Sequence, residues 1–326
     1  MLDPYGRSIE YLRLSITDRC NLRCRYCMPE EGVLPLGHAA ILSYEELLRV
    51  ARASVALGIR KIRVTGGEPL VRRGVVEFIA RLAALPGAPE IALTTNGLLL
   101  AESAEALKAA GLRRVNVSLD TLRPERFLAL TRREGLERVF AGLAAAEAAG
   151  LAPVKVNVIP LQGVNDDELL DFARLTLFHP WEVRFIEFMP ISPDLESHNM
   201  TRVPMAEVER RLQELGALEP LPRSESAGPA RRFRLPGARG SLGLIPAVSG
   251  HFCPECNRLR VTADGRVRGC LFGNQEVDLK PVLRGDGSDE ALVALLQAAV
   301  CAKPERHVIG TPEFKAPSRR MHGIGG

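Results

Sequence analysis

The chain has 326 residues, a formal net charge of +4, 46% hydrophobic and 25% charged side chains. That balance belongs to a folded globular protein and excludes long disorder, and so small a charge does not by itself call for nucleic acid. Residues Met1 to Glu10 lack the apolar core of a signal peptide and no later apolar run is long enough to span a bilayer. The expected setting is the cytoplasm, with neither a membrane nor a nucleic-acid partner. In that reducing compartment seven cysteines, grouped as two clusters and a singleton, argue for metal and against disulfides.

From residue 11 onward strand-like runs alternate with helical stretches. The runs are "YLRLSIT", "KIRVTG", "EIALTTN", "RVNVSLD", "VKVNVIP" and "EVRFIEFMP". Helical patterns cover Ser43 to Leu57, Gly74 to Ala84, Glu102 to Ala110, a long region from Pro124 to Ala149, Asp166 to Leu177 and Pro204 to Leu215. Six successive β-α units predict a parallel sheet, doubly wound or curled into a barrel. After about residue 218 the texture becomes rich in Pro, Gly, Ser and Arg, which marks a boundary leading into short strands and turns. The expected division is 1–217 and 218–326, with one further helix from Asp289 to Val300 and an irregular basic tail.

Side chains on a strand alternate faces with period two. Leu12, Leu14 and Ile16 oppose Arg13, Ser15 and Thr17; Ile62 and Val64 oppose Lys61, Arg63 and Thr65; Val115, Val117 and Leu119 oppose Asn116, Ser118 and Asp120; and the valines of "VKVNV" oppose Lys155 and Asn157. Parallel sheets covered by helices on both faces read as near-continuous apolar runs. A polar face on strand after strand therefore predicts a curved sheet with helices outside, a wet lumen inside, and six units leaving the barrel incomplete. Arg13, Lys61, Arg63 and Lys155 would point into that lumen, which suits a polyanion such as a phosphorylated small molecule.

Cys20, Cys24 and Cys27 follow the first strand, on the loop where barrels of this type place their chemistry. A cubane iron-sulfur cluster has four irons, each wanting one terminal ligand, so three thiolates leave one iron open. A zinc site is the alternative, although the nearest histidine is His38. A second triad, Cys253, Cys256 and Cys270, has the spacing C-x2-C-x13-C, and His251 could complete a Cys3His zinc site there. Cys301 joins neither triad and reads as a structural thiol on a helix.

The spacing C-x3-C-x2-C with Tyr26 before its last cysteine, together with "TGGEP" at the end of the second strand, resembles the signature of radical S-adenosylmethionine enzymes. With "TTNG", "NVSLD", "RFIEFMP", "CPECNRLR" and the terminal "GG", nearly the whole chain resembles the GTP 3',8-cyclase family, which opens molybdenum cofactor biosynthesis. The resemblance implies an incomplete (βα)6 barrel with a C-terminal extension that carries a second cluster. It implies two [4Fe-4S] clusters held by Cys20, Cys24 and Cys27 and by Cys253, Cys256 and Cys270, with S-adenosylmethionine on the first and the guanine of GTP on the second. By the same resemblance Tyr26, Gly66, Gly67, Glu68, Ser118 and Met189 lie at S-adenosylmethionine. Arg13, Lys61, Arg63, Thr94, Lys155 and Arg184 lie at GTP, Arg258 and Arg260 lie beside the second cluster, and Gly325 and Gly326 reach into the active site. The implied partners are a reductant protein and a downstream cyclic pyranopterin monophosphate synthase, with a homodimer left open.

Overall fold

The computed structural model describes residues 1–191, 200–222, 228–309 and 311–325. The six expected strands are β1 (Tyr11–Ser15), β2 (Lys61–Thr65), β3 (Glu90–Thr95), β4 (Arg114–Ser118), β5 (Lys155–Val158) and β6 (Glu182–Ile186). They pair in sequence order, all parallel. Between them run α1 (Tyr44–Ala56), α2 (Val75–Ala83), α3 (Leu100–Ala109), α4 (Pro124–Thr131), α5 (Leu136–Ala148) and α6 (Leu169–Phe178), followed by α7 (Met205–Leu212). Local chemistry sets their ends. Ser43 opens α1 with a capping box, its hydroxyl accepting from the Glu46 N–H while the Glu46 carboxylate accepts from the Ser43 N–H. The helical region expected from Pro124 to Ala149 is two helices, because Arg132 closes α4 at φ 57° and Gly135 precedes α5 at φ 123°.

The C-terminal region supplies β7 (Glu219–Pro220), β8 (Arg231–Arg234), β9 (Ser241–Ile245), β10 (Arg258–Val261), β11 (Arg266–Arg268) and β12 (Val277–Asp278), with α8 (Lys280–Arg284), α9 (Asp289–Cys301) and α10 (Met321–Ile324). Its strands join the same sheet. β10 lies parallel beside β1, β9 lies parallel beside β6, and antiparallel strands extend each edge, giving the order β12-β11-β10-β1-β2-β3-β4-β5-β6-β9-β8-β7. The parallel part thus has eight strands, six from the βα units and one added at either flank.

The outer face of each parallel strand packs under the helices. Leu12, Leu14, Ile62, Val64, Val115, Val117, Val156 and Val183 are fully buried in one continuous core with Leu47, Phe78, Leu107, Leu143 and Phe172. The inner faces of strands from both ends of the sheet line one cavity of about 920 Å³, so the sheet curls around it. This is the partial barrel expected from the alternation. Among the described residues no helix is long and apolar enough to cross a membrane.

Candidate active site

The first triad sits where the chain leaves β1. The backbone from Thr17 to Arg19 runs against Gly66 and Gly67, with the Gly67 N–H donating to the Thr17 carbonyl (2.7 Å) and the Glu68 N–H to the Arg19 carbonyl (2.8 Å). A Cβ on Gly66 would stand 2.5 Å from the Thr17 carbonyl oxygen, and one on Gly67 would press on the Asp18 and Arg19 carbonyls. The paired glycines of "TGGEP" therefore let two backbones close together and hold the loop that begins at Cys20. Cys20, Cys24 and Cys27 all line the cavity, and burial pushes each thiol upward.

Glu68 does not line the cavity. It is buried, and its carboxylate accepts from the Thr95 hydroxyl (2.8 Å) and from the N–H groups of Asn96 (2.6 Å) and Leu70 (3.0 Å). Burial lifts its pKa to about 7 against the pull of these donors. Asn96, in turn, donates from its amide to Asn21 (2.7 Å) and faces the Cys20 sulfur at 3.9 Å. Glu68 thus supports the "TTNG" turn that supports the cysteine loop. On the other side Asp120 accepts from the Tyr26 hydroxyl (2.5 Å) and from the Ile159 N–H (2.8 Å), fixing the ring that precedes Cys27. Gly66, Gly67, Tyr26, Ser118 and Met189 all face the cavity, Met189 packing near Ile245 and Ala247.

Cys253, Cys256 and Cys270 line the same cavity. Cys253 opens a 3₁₀ turn just before β10, and Cys270 lies two residues beyond β11. Burial raises the Cys256 thiol, but Arg258 and Lys303 outweigh it and bring it to about 6. Among the described residues no group of three or more His, Cys, Asp or Glu side chains is gathered as ligands of a single ion would be. Thiolates of a cubane each take their own iron and need no common centre, so two triads facing a cavity suit clusters. His251 is exposed, stacked edge-on with His307, and Cys301 is exposed at the end of α9.

Between the triads lies the cationic wall. Arg13, Lys61, Arg63, Lys155, Arg184, Arg258 and Arg260 all line the cavity, as does Thr94. Two carboxylates answer these cations, Glu182 buried and Glu90 half-buried. Glu182 accepts from Lys155 (3.0 Å) and Arg184 (2.5 Å) and pairs with Arg232 (3.5 Å). Glu90 pairs with Arg114 and, at 3.7 Å, with Lys61. Burial opposes ionisation of Glu182, and Arg184 and Lys155 nevertheless hold it down at about 2. Ten arginines and lysines still face four carboxylates in the lining formed by the described residues. Asn116, its amide oxygen turned to Arg63, accepts from that guanidinium at 2.9 Å. Burial pulls Lys61 down to about 8 and lowers Arg63 and Arg260 as well.

The tail docks inside. Ile324 is fully buried, the Arg260 guanidinium donates to the Gly325 carbonyl (2.7 Å), and Gly325 sits against Ser15 and Thr65 at the ends of β1 and β2. At φ 83° and with Ser15 Cβ only 2.9 Å from where its own would be, position 325 requires glycine. Arg319 anchors this segment through a bidentate pair with Asp264 (2.9 and 3.1 Å) and a contact with Glu276 (2.8 Å). Gly326 lies outside the described residues.

Residues 14–176 match the family model of the radical SAM superfamily, and residues 181–309 match that of Molybdenum Cofactor Synthesis C. A GTP 3',8-cyclase of Geobacter sulfurreducens is 52% identical over 100% of this chain and 99% of its own length. The chain belongs to the GTP 3',8-cyclase family. A further member, from Moorella thermoacetica, is 50% identical over the whole of both chains. Among solved structures, SuiB of Streptococcus suis bound to S-adenosylmethionine covers 86% of this chain and 64% of its own, with 14% identity and a TM-score of 0.59. SuiB bound to its precursor peptide SuiA covers 96% and 76%, with 13% identity and a TM-score of 0.61; at such identities the likeness is one of fold. As a member of the GTP 3',8-cyclase family the chain is a radical S-adenosylmethionine enzyme, with S-adenosylmethionine and an iron-sulfur cluster as cofactors.

Proposed function

We propose that this enzyme cyclises GTP to (8S)-3',8-cyclo-7,8-dihydroguanosine 5'-triphosphate, the first step of molybdenum cofactor biosynthesis. The observation that carries the reading is that both cysteine triads and the cationic wall face one cavity. In this reading Cys20, Cys24 and Cys27 hold one [4Fe-4S] cluster and Cys253, Cys256 and Cys270 hold another. Bound at the first triad with S-adenosylmethionine, a reduced cluster supplies the 5'-deoxyadenosyl radical.

The chain's own residues then have three tasks. Arg13, Lys61, Arg63, Lys155 and Arg184, with Thr94, grip the triphosphate through charge-assisted hydrogen bonds. Arg258 and Arg260 flank the guanine end at the second triad. Holding a nucleotide at both ends leaves its ribose little freedom, and such orientation accounts for much of what an active site contributes to rate. Tyr26, Gly66, Gly67, Ser118 and Met189 border S-adenosylmethionine, while Glu68 acts through Asn96 as a positioning residue. Ile186, Phe188, Met189, Ile245 and Ala247 give the cavity an apolar flank that excludes water from the reacting carbon. Gly325 completes the site from the tail.

In this reading residues 1–217, with six of the eight parallel strands, hold the first cluster, and 218–326, which add one parallel strand at either flank, hold the second. A reductant protein supplies the electron, and a cyclic pyranopterin monophosphate synthase consumes the product. The test is anaerobic reconstitution followed by incubation with reductant, S-adenosylmethionine and GTP. About eight irons per chain, the sum of two four-iron clusters, and 5'-deoxyadenosine formed alongside a cyclised nucleotide are expected. Bound zinc without iron, or 5'-deoxyadenosine formed with GTP unconsumed, would refute the reading.

A further inference from the structure

Lys303 lies just beyond α9, far in sequence from either triad, yet its side chain ends against the second one. It is 3% exposed. Its ammonium donates to the Cys256 sulfur (3.3 Å), to the Arg258 carbonyl (3.1 Å) and to the Gly269 carbonyl (2.5 Å). An ammonium has three protons and no acceptor, so these three partners use its whole hydrogen-bonding capacity. The contacts join the two arms of the triad, since Arg258 follows Cys256 and Gly269 precedes Cys270. A Cβ on Gly269 would stand 3.2 Å from both Cα and Cβ of Lys303, so the second arm closes directly onto this residue.

Charge makes the arrangement specific. A buried ammonium is costly unless it meets an opposite charge, and among the described residues no carboxylate pairs with Lys303. Of its three partners two are neutral carbonyls, and the third, the Cys256 sulfur, is anionic when it ligates iron. A lysine needed only to join two loops could have been matched by a neutral donor. We infer that Lys303 is a positioning residue of the second cluster, a fixed cation that donates to the Cys256 thiolate, joins the two cysteine arms and offsets part of the cluster's negative charge. Hydrogen bonds to cluster sulfur and nearby positive charge favour the more reduced, more negative form, and so raise the reduction potential. Arg258 adds to this field from the rim of the cavity, whereas Lys303 delivers it through a direct N–H···S contact from behind.

The inference rests on the reading that the second triad holds a cluster, and iron content separates the two. The experiment uses full-length protein, anaerobically reconstituted, as wild type, Lys303→Met and Lys303→Arg, with iron and sulfide quantified for each. Redox titration followed by electron paramagnetic resonance reads the second cluster, assigned by its loss in Cys256→Ser. The midpoint is expected to move to more negative potential in Lys303→Met and to stay near wild type in Lys303→Arg. In parallel, wild type grown with ¹⁵N-lysine is expected to show a ¹⁵N coupling on the reduced second cluster. That measurement needs no variant, and it decides alone if Lys303→Met sheds the cluster. An unshifted potential in Lys303→Met with all its iron present, or no ¹⁵N coupling in the wild type, would overturn the inference while leaving the two-cluster reading intact. About four irons in the wild type would instead remove that reading, and this inference with it.

Discussion

Replacing Glu182 by Gln removes one negative charge from between three cations. Lys155 and Glu182 are 9% and 3% exposed at their side chains, Arg184 is 8% exposed and Arg232 33%. Breaking a buried ion pair from one side costs about 3–5 kcal/mol, because the partner charge is left uncompensated. Arg232, partly solvated, adds little. With an unfolding entropy of about 2.1 cal/mol/K per residue, 326 residues give about 0.7 kcal/mol/K, so the variant should melt about 4–7 °C below wild type. A bound triphosphate would resupply the missing negative charge. GTP should therefore stabilise Glu182→Gln more than it stabilises wild type, closing much of the gap. Anaerobic thermal unfolding of the reconstituted protein with and without GTP measures both effects. A variant that melts with wild type, or one to which GTP adds no more than it adds to wild type, would refute the role of Glu182 as counter-charge to a polyanion site.

Three further outcomes follow from the same geometry. Arg260→Ala loses a buried charged hydrogen bond to the tail worth about 1.5–3 kcal/mol, which is about a 10- to 150-fold shift toward the undocked tail; amide exchange at residues 321–325 should accelerate accordingly, and unchanged exchange would show the tail is held elsewhere. Glu68→Gln takes an acceptor from the Asn96 turn beside Cys20, so S-adenosylmethionine affinity should fall about tenfold, for about 1.4 kcal/mol of lost support, with GTP affinity preserved; equal loss of both would contradict its placement. Lys61, pulled down to about 8 by burial, is partly neutral near that pH and is returned to the charged form by a polyanion. GTP binding should therefore take up protons and weaken as pH rises through about 8, and calorimetry in buffers of different ionisation enthalpy that finds no proton uptake at pH 8 would contradict this.

Much of the site was legible in the sequence because it depends on local periodicity. Period-two alternation put Arg13, Lys61, Arg63 and Lys155 on one face, and the curled sheet gathers that face around the cavity. The same period places Glu90 with Ala92 and Thr94, and Glu182 with Arg184. The counter-charges were therefore readable, but they stand at strand starts, where an apolar pattern has not yet begun. The break at Arg132 and Gly135 was signalled by the glycine alone, since an arginine at φ 57° has no local mark. Other features are non-local. Nothing in "SLGLI" or "RLRV" says that one strand joins β6 and the other β1, and nothing in "AKPERH" says that Lys303 ends at Cys256. Glu68 was assigned to S-adenosylmethionine by resemblance, and the three hydrogen bonds its carboxylate also accepts from Leu70, Thr95 and Asn96 join segments that no local pattern links.

The most direct measurement of the central claim is a single turnover of the reconstituted enzyme with GTP deuterated at the ribose C3' position. If the cavity presents that carbon to the radical, 5'-deoxyadenosine recovered beside the cyclised product should carry the deuterium in stoichiometric amount. Unlabelled 5'-deoxyadenosine, or label retained in an unchanged nucleotide, would contradict the account.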